Sequence, residues 1–223
     1  MRLRTLSGLI LSASLAAPTF AATEIQWWHA MGGELGNKLN QIAADFNAGQ
    51  NDYEVKPVYK GNYTETMTAA IAAFRAGQQP HIVQVFEVGT ATMMAAKGAV
   101  YPVYKLMEDA GESFDGSNYL SSVTGYYTDE QGNMLSMPFN SSTPVLYYNK
   151  EAFVKAGVAA PKYWEDMPFV AEKLQQSGYQ CGFTTGWQSW VQLENFSARH
   201  NVPFASKANG FAGADTELAF NQG

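Results

Sequence analysis

Apolar and polar positions follow two different periods along the first hundred residues of the chain. Residues 24–29 and 53–59 alternate as strands do, and residues 81–86 form a third short run with strand character. Between these runs, over 35–46 and 67–74, apolar residues recur at the three- and four-residue spacing of a helix. The alternation of strands and helices predicts a mostly parallel sheet with helices on both faces, which is an α/β fold.

The second helix of this pattern has the clearest start and stop signals. Gly61 breaks the preceding strand, and Asn62 is a capping residue with Glu65 three positions later, as in a capping box. Gly77 ends the same helix. The next helix is predicted over 92–97.

The pattern is weaker beyond residue 110. Residues 111–135 are rich in Ser, Gly and Tyr and predict loose structure. The hydroxyl-rich run 140–143 then leads directly into an apolar run, 145–148, which predicts a strand. Helical patterns follow over 150–157, 164–177, 188–200 and 216–220.

The first 21 residues carry the pattern of a secretory signal peptide. Arg2 and Arg4 precede a short apolar stretch, and small residues suitable for cleavage follow it. The pattern predicts an exported protein, with the periplasm as its location. The predicted organisation is a signal peptide over 1–21, a first α/β lobe over 22–140, and an inter-lobe crossing with a partial second α/β lobe over 141–223.

The composition of the chain mainly excludes some classes of partner and bond. The 223 residues carry a formal net charge of -6 and show no cluster of Lys or Arg, so a nucleic-acid partner is not expected. An apolar fraction of 46% is enough for a packed core. Cys181 is the only cysteine, which excludes a disulfide within the chain, and it is expected to be buried.

Polar residues stand where the predicted strands end. Ligands of open α/β sheets bind outside the carboxyl ends of the strands, so residues 29–34, 61–64, 87–90 and 140–143 are candidates. Each segment alone is a weak signal, because loops are polar in any case. Glu87 is expected to end the third strand. Aromatic rings near these ends can stack on a sugar or polyol, although Trp187 also fits an ordinary core tryptophan.

Signatures of an enzyme are weak. Neither Ser141 nor Ser142 lies in a G-x-S-x-G motif, and the chain has no glycine-rich phosphate or dinucleotide motif. The three histidines are scattered without acids or cysteines at metal-binding spacing. No catalytic residue, cofactor or metal is therefore predicted. An exported hydrolase using Ser142 as nucleophile is the alternative from another class, and it requires a histidine and an acid beside Ser142.

Four runs carry a family resemblance: YKGNY, VGTATMMAAKG with Glu87 just before it, PFNSSTPVLYYNK and GWQSWVQLENFSA. Over Ile25 to Phe220 the chain resembles the maltose-binding-like extracellular solute-binding proteins, and within them the sn-glycerol-3-phosphate-binding components of bacterial ABC importers. The resemblance implies a two-lobed architecture of the periplasmic-binding-protein type with a ligand cleft between the lobes. It also implies that the first lobe is nearly complete here and the second truncated.

The resemblance further implies a non-enzymatic, monomeric carrier. Such a carrier captures sn-glycerol-3-phosphate or a glycerophosphodiester and delivers it to a membrane permease; a neutral sugar or oligosaccharide is the alternative ligand. Because a carboxylate repels phosphate, Glu87 is expected to face the glycerol hydroxyls, and Ser142 to donate to the phosphate. The residues that match ligand positions are Tyr63, Glu87, Ser142 and Trp187, with Ser141 and Thr143 as additional contacts.

The family is longer than this chain. The resemblance places its remaining ligand groups, an arginine among them, beyond Gly223, and no strong cation is expected at the ligand from the residues given. The chain is therefore expected to be an N-terminal fragment that aggregates readily and binds its ligand weakly by itself.

Overall fold

The computed structural model describes residues 21–96, 98–186, 188–213 and 215–221. Contacts divide the chain into two compact units, Met1–Val100 and Tyr101–Gly223. Residues 1–20 of the predicted signal peptide lie outside the described residues, as does Trp187. The lobe boundary at residue 140 stays a prediction.

The first unit is built on a small parallel sheet. Its strands are Thr23–His29 (β1), Tyr53–Tyr59 (β2) and Ile82–Val83 (β3), in the order β2-β1-β3. β1 and β2 are paired along their full length. The parallel α/β fold is therefore confirmed, although the third strand is shorter than the predicted 81–86. One reason is that the backbone N–H of Gln26 donates to the ring of His81 at 3.0 Å, where a longer β3 would supply a carbonyl.

The described residues of this unit form three helices: Gly33–Ala48 (α1), Tyr63–Arg75 (α2) and Glu87–Ala95 (α3). β2 and β3 lie on opposite sides of β1, so right-handed crossovers place α1 and α2 on opposite faces of the sheet. Both faces are thus covered, as the alternating pattern predicted.

The core of the first unit uses only part of the predicted apolar faces. Leu39 is 1% exposed, and Trp28, Ala43 and Ala70 are also buried. Leu35, by contrast, is 64% exposed on the same helix as Leu39. Burial of this kind is the main source of stabilisation for such a small sheet.

α3 begins earlier than expected. It starts at Glu87, whereas the sequence predicted a strand ending at Glu87 and a helix from residue 92. The strand prediction for this residue was therefore wrong. Glu87 now occupies a helix N-terminus, where the aligned peptide dipoles favour a negative charge.

The regular secondary structure of the second unit, among its described residues, consists of short helices joined by irregular segments. A small core of Ala152, Phe153, Val170 and Leu174 joins two of its helices. Two isolated antiparallel bridges, Thr128 with Met134 and Ala205 with Leu218, are its strand-like pairs among the described residues. The helices are Val103–Ala110 (α4), Ser121–Tyr126 (α5), Lys150–Ala156 (α6), Met167–Gln176 (α7), Asn195–Arg199 (α8) and Ser206–Asn209 (α9), with 3-10 turns at Gly116–Asn118 and Trp164–Asp166 and a π-helix at Gln188–Glu194.

Three local predictions for this unit were wrong. Residues 145–148 are not a strand, because the described part of the unit offers no strand beside them to pair with. Residues 216–220 are not helical, since Leu218 pairs with Ala205 and the Thr216 hydroxyl donates to the Ser206 carbonyl at 2.7 Å. Cys181 is exposed rather than buried, and its thiol donates to the Phe183 carbonyl.

No helix among the described residues combines the length and apolar character that crossing a membrane would require.

Candidate functional site

The carboxyl ends of the three parallel strands meet at one edge of the first unit's sheet. We call this the carboxyl edge; it comprises residues 29–33, 59–63 and 84–87. Each of its three segments leads into a helix N-terminus, at Gly33, Tyr63 and Glu87. β2 and β3 lie on opposite sides of β1, so the connections that leave the ends of β1 and β2 cross to opposite faces of the sheet. In α/β sheets, such a topological switch point opens a crevice in which ligands bind.

A capping box fixes the start of α2, as the sequence predicted. The Glu65 backbone N–H donates to Asn62 Oδ1 at 3.0 Å, and the Asn62 N–H donates to Glu65 Oε2 at 2.7 Å. Gly61 has a φ of 89°, and a Cβ there would overlap the Glu65 carboxylate. The glycine is therefore required by both its backbone conformation and its neighbour.

The first turn of α2 is also tied to the end of β1. Thr66 is fully buried, and its hydroxyl donates to the His29 carbonyl at 3.4 Å. The same carbonyl accepts the Lys60 backbone N–H at 3.0 Å. These contacts hold Tyr63, the first residue of the helix, at the carboxyl edge.

Tyr63 meets the segment that carries Glu87. Its ring stacks on Phe86, with centroids 5.1 Å apart and planes 6° from parallel. A Cβ on Gly89 would come within 2.6 Å of Met67 Sδ, so this glycine allows α3 to approach α2 closely. The structure thus brings two predicted site segments together, and it adds Phe86, which the sequence analysis missed.

Glu87 stands at the first position of α3 with its side chain exposed. An ionised carboxylate at this place accepts hydrogen bonds and has no donor of its own. Together with the stacked rings, the edge offers an apolar surface beside an acceptor, which suits a hydroxylated carbon chain.

His29 is buried beneath this edge and is held neutral. It is 3% exposed, and its Nδ1 accepts the Met31 backbone N–H at 3.2 Å. Loss of hydration lowers the pKa of the imidazole below its ordinary value of 6.5. Because Nδ1 is an acceptor, the proton of the neutral ring resides on Nε2.

Gln84 holds the turn between β1 and α1 at Ala30, one residue before the Met31 amide that His29 holds. Its Oε1 accepts the Ala30 backbone N–H at 3.1 Å, and the residue is 7% exposed. Its Nε2 is buried and has no hydrogen-bond partner among the described residues. Gln84 and His29 together hold the two backbone amides that lead into α1, and neither role was visible in the sequence pattern.

Lys60 brings a cation to the carboxyl edge. Its Nζ lies 3.9 Å from the centroid of the Trp28 ring, a cation–π contact that positions the ammonium. No strong cation was expected here from the sequence, although the motif YKGNY contains this lysine. The expectation ignored that a residue directly after β2 must lie at the edge.

The hydroxyl run of the second unit lies in a segment without helix or strand, residues 137–149. Ser141, Ser142 and Thr143 are all exposed there, and Ser142 makes no hydrogen bond with a described residue. The segment ends at Asn149, whose side chain caps α6 by accepting the Ala152 N–H at 3.0 Å. The ligand roles of these residues therefore stay predictions.

A pocket of ≈ 270 Å³ within the second unit is lined in part by the end of this segment, residues 146–149. Tyr148, Phe153 and Phe183 are among its lining residues, and so is Cys181. Its walls are mainly apolar and belong in part to the small core. Among the described residues of the whole chain, no group of three or more His, Cys, Asp or Glu side chains could hold a metal ion.

Comparison with known proteins gives close relatives in sequence. The sn-glycerol-3-phosphate-binding periplasmic proteins UgpB of Salmonella typhimurium (strain LT2) and of Escherichia coli (strain K12) are each 53% identical to the chain over 222 residues. These residues are 98% of this chain and 50% of either relative. The chain thus spans about half the length of the relatives it matches.

Solved structures agree on the fold. The cyclic alpha-maltosyl-1,6-maltose binding protein from Arthrobacter globiformis matches with a TM-score of 0.57 at 17% identity, over 79% of this chain and 45% of that protein. At such low identity the likeness concerns the architecture alone, which is the predicted solute-binding fold.

A family model described as bacterial extracellular solute-binding protein matches residues 32–222. That range contains the carboxyl-edge residues Tyr63 and Glu87 and the hydroxyl run at 141–143. The match covers most of the chain, as the sequence resemblance predicted. The chain belongs to the bacterial extracellular solute-binding protein family.

Proposed function

We propose that this chain forms the first half of a periplasmic binding protein that captures sn-glycerol-3-phosphate or a glycerophosphodiester for an ABC importer. The observation that carries the proposal is the 53% identity, over 98% of this chain, to relatives named for binding this ligand in the periplasm. The membrane permease of the importer is the proposed partner.

The carboxyl edge supplies the contacts proposed for the glycerol moiety. The stacked rings of Tyr63 and Phe86 offer an apolar face to its C–H groups, and Glu87 accepts from its hydroxyls. Glu87 repels phosphate, so the phosphate is proposed to lie away from it. Lys60 adds positive charge to the same edge and partly offsets this repulsion.

The hydroxyl run and Trp187 are proposed as further ligand contacts. Ser142, with Ser141 and Thr143 beside it, is exposed and able to donate to phosphate oxygens. A π-helix starts at Gln188, directly after Trp187, and irregular helical turns of this kind are frequent at functional sites. Trp187 is proposed to pack on the carbon backbone of the ligand.

The family relation favours binding over catalysis. A hydrolase would require a histidine and an acid that activate Ser142, and this serine has no hydrogen bond to any residue in the described part of the chain. Incubation with glycerol-3-phosphate and with glycerophosphodiesters is expected to release neither phosphate nor alcohol. Steady turnover would contradict the proposal.

Calorimetric titration tests the ligand. Because the relatives are about twice as long, residues 21–223 are joined to the second half of the Escherichia coli relative, and the hybrid is first checked for cooperative melting. Heat is expected with glycerol-3-phosphate or glycerophosphocholine and not with maltose. Heat with maltose alone would contradict the proposed ligand. The same titration of the unextended chain is expected to show much weaker binding, because the other half is proposed to supply further contacts.

A further inference from the structure

A buried glutamine links the ends of β1 and β3 at the carboxyl edge. β3 ends at Val83, and the next residue, Gln84, continues the attachment to β1 in two ways. The Gln84 backbone N–H donates to the Trp28 carbonyl at 2.9 Å, and the side-chain Oε1 accepts the Ala30 backbone N–H at 3.1 Å. One residue therefore holds both the end of β1 and the turn that follows it.

The β1 residue between these two contacts, His29, holds the segment that carries Tyr63. Its carbonyl accepts the Lys60 backbone N–H at 3.0 Å and the Thr66 hydroxyl at 3.4 Å. Glu87 belongs to the other segment, three residues after the glutamine. The end of β1 is thus the common attachment of both segments, and the separation of Tyr63 from Glu87 depends on it.

The orientation of the Gln84 carboxamide is fixed by its contact with Ala30. A reversed amide would place its NH2 group against the Ala30 N–H, and two donors cannot form a hydrogen bond. In the observed orientation Nε2 is buried without a hydrogen-bond partner among the described residues, and the whole residue is 7% exposed. A buried donor without an acceptor lowers stability. The side chain keeps its contact with Ala30 in spite of this cost, which points to that contact as the role of the residue.

We propose that Gln84 is a positioning residue of the ligand site, which sets the place of Glu87 relative to Tyr63 through its contact with Ala30. The inference rests on the proposed function and adds a residue to its site. Because the glutamine is buried, it acts through the chain segment that follows it and not by contact with the ligand. The donor–acceptor distance of a good hydrogen bond spans only about 0.5 Å, so a small displacement of the Glu87 carboxylate is enough to weaken its contact with a ligand hydroxyl.

Gln84→Met in the hybrid protein removes the contact with Ala30 and preserves the length of the side chain. The Ala30 N–H loses its acceptor, but the unpaired Nε2–H is removed as well, so we expect little change in the melting temperature. Calorimetric titration is expected to show an affinity for glycerol-3-phosphate that is weaker by about three- to tenfold. Gln41→Met, at an exposed position of α1, is the matched control and is expected to bind like the parent hybrid.

Gln84→Glu is the conservative variant that separates positioning from packing. A carboxyl group accepts a hydrogen bond in either protonation state, so the Ala30 N–H keeps an acceptor. Amide hydrogen exchange at Ala30 is expected to be faster in Gln84→Met and close to that of the parent in Gln84→Glu. The affinity for glycerol-3-phosphate is expected to follow the same order. Loss of affinity in Gln84→Glu while the Ala30 amide stays protected would overturn the role of this contact.

A double-mutant cycle tests whether Gln84 acts through Glu87. Glu87→Ala removes the carboxylate, so its position no longer matters, and Gln84→Met/Glu87→Ala is expected to bind about as weakly as Glu87→Ala alone. Additive losses would assign the effect of Gln84 to the fold in general and overturn the inference. Absence of heat from the parent hybrid would contradict the proposed function, and this inference with it. Binding by the parent together with unchanged affinity in Gln84→Met would overturn the inference alone.

Discussion

The two units of this chain differ in how their polar segments are held. In the first unit, the loop that leads into α2 is fixed at both ends, by the Lys60 N–H on the β1 carbonyl of His29 and by the capping box of Asn62 and Glu65. In the second unit, residues 137–149 form neither helix nor strand, and Tyr147 is 89% exposed. The first segment is a rigid support for side chains, whereas the second is held near its end, where Asn149 caps α6 and the Tyr148 ring contacts Phe153.

The difference between the two units shows that a parallel sheet fixes the starting points of the loops at its carboxyl edge. Once β1 and β2 pair over seven residues, every loop at their carboxyl ends starts from a fixed point. Backbone amides can then be held by buried side chains such as His29 and Gln84. In the described part of the chain, the apolar run 145–148 has no neighbouring strand that would set its direction.

The largest effect is expected from the core that supports the first unit. Leu39→Ala removes a side chain that is 1% exposed, and it should lower the free energy of unfolding by about 2–5 kcal/mol. Leu35→Ala, on the exposed side of α1, should change it by less than about 0.5 kcal/mol. Chemical denaturation followed by circular dichroism measures both. Equal losses would mean that α1 does not pack as described.

Removal of the helix cap tests the rigid support itself. Asn62→Ala leaves the Glu65 N–H without its acceptor and should cost about 0.5–2 kcal/mol of stability, with increased hydrogen exchange in the first turn of α2. Asn149→Ala is the matched change at the start of α6 in the second unit. If Asn62→Ala left exchange at Tyr63 and Thr66 unchanged, the comparison between the two segments would fail.

A smaller effect is expected from pH. The folded-state pKa of His29 lies below its ordinary value of 6.5 because burial disfavours the charged ring. His29 therefore takes up a proton more readily in the unfolded chain than in the folded chain. The free energy of unfolding should fall as the pH drops below about 6.5 towards the pKa of His29 in the folded chain.

Denaturation at a series of pH values measures this slope. His29→Gln should flatten it, because the variant lacks the buried titrating ring. The pKa values of carboxylates such as Glu24 and Asp129 are lowered by their hydrogen-bond partners, so these groups lose their contribution only at acidic pH. If the free energy of unfolding of His29→Gln depended on pH as it does in the parent chain, the effect would belong to another titrating group.

The sequence predicted features that depend on nearby residues. The capping box needs only Asn62 and Glu65, three positions apart, and β1 and β2 follow from simple alternation. The parallel sheet followed from the order of elements. The resemblance of four short runs then led to the correct family.

Features that depend on distant partners were not predictable in this way. The Tyr63–Phe86 stack joins residues from two different strand ends, and the Gln84 contact with Ala30 crosses 54 residues. The predicted strand at 145–148 was wrong for the same reason, because an apolar run does not say whether a partner strand lies beside it. Trp187 lies outside the described residues, so its role stays a prediction.

The most direct test of the central claim is calorimetric titration of the hybrid protein with glycerol-3-phosphate in two tyrosine variants. Tyr63 lies at the carboxyl edge, whereas Tyr53 lies at the opposite end of β2 and is half exposed. Tyr63→Ala is expected to weaken binding roughly tenfold or more, because it removes an aromatic contact of about 1–3 kcal/mol. Tyr53→Ala is expected to bind like the parent hybrid, and equal affinities for the two variants, with both folded, would contradict the placement of the ligand at this edge.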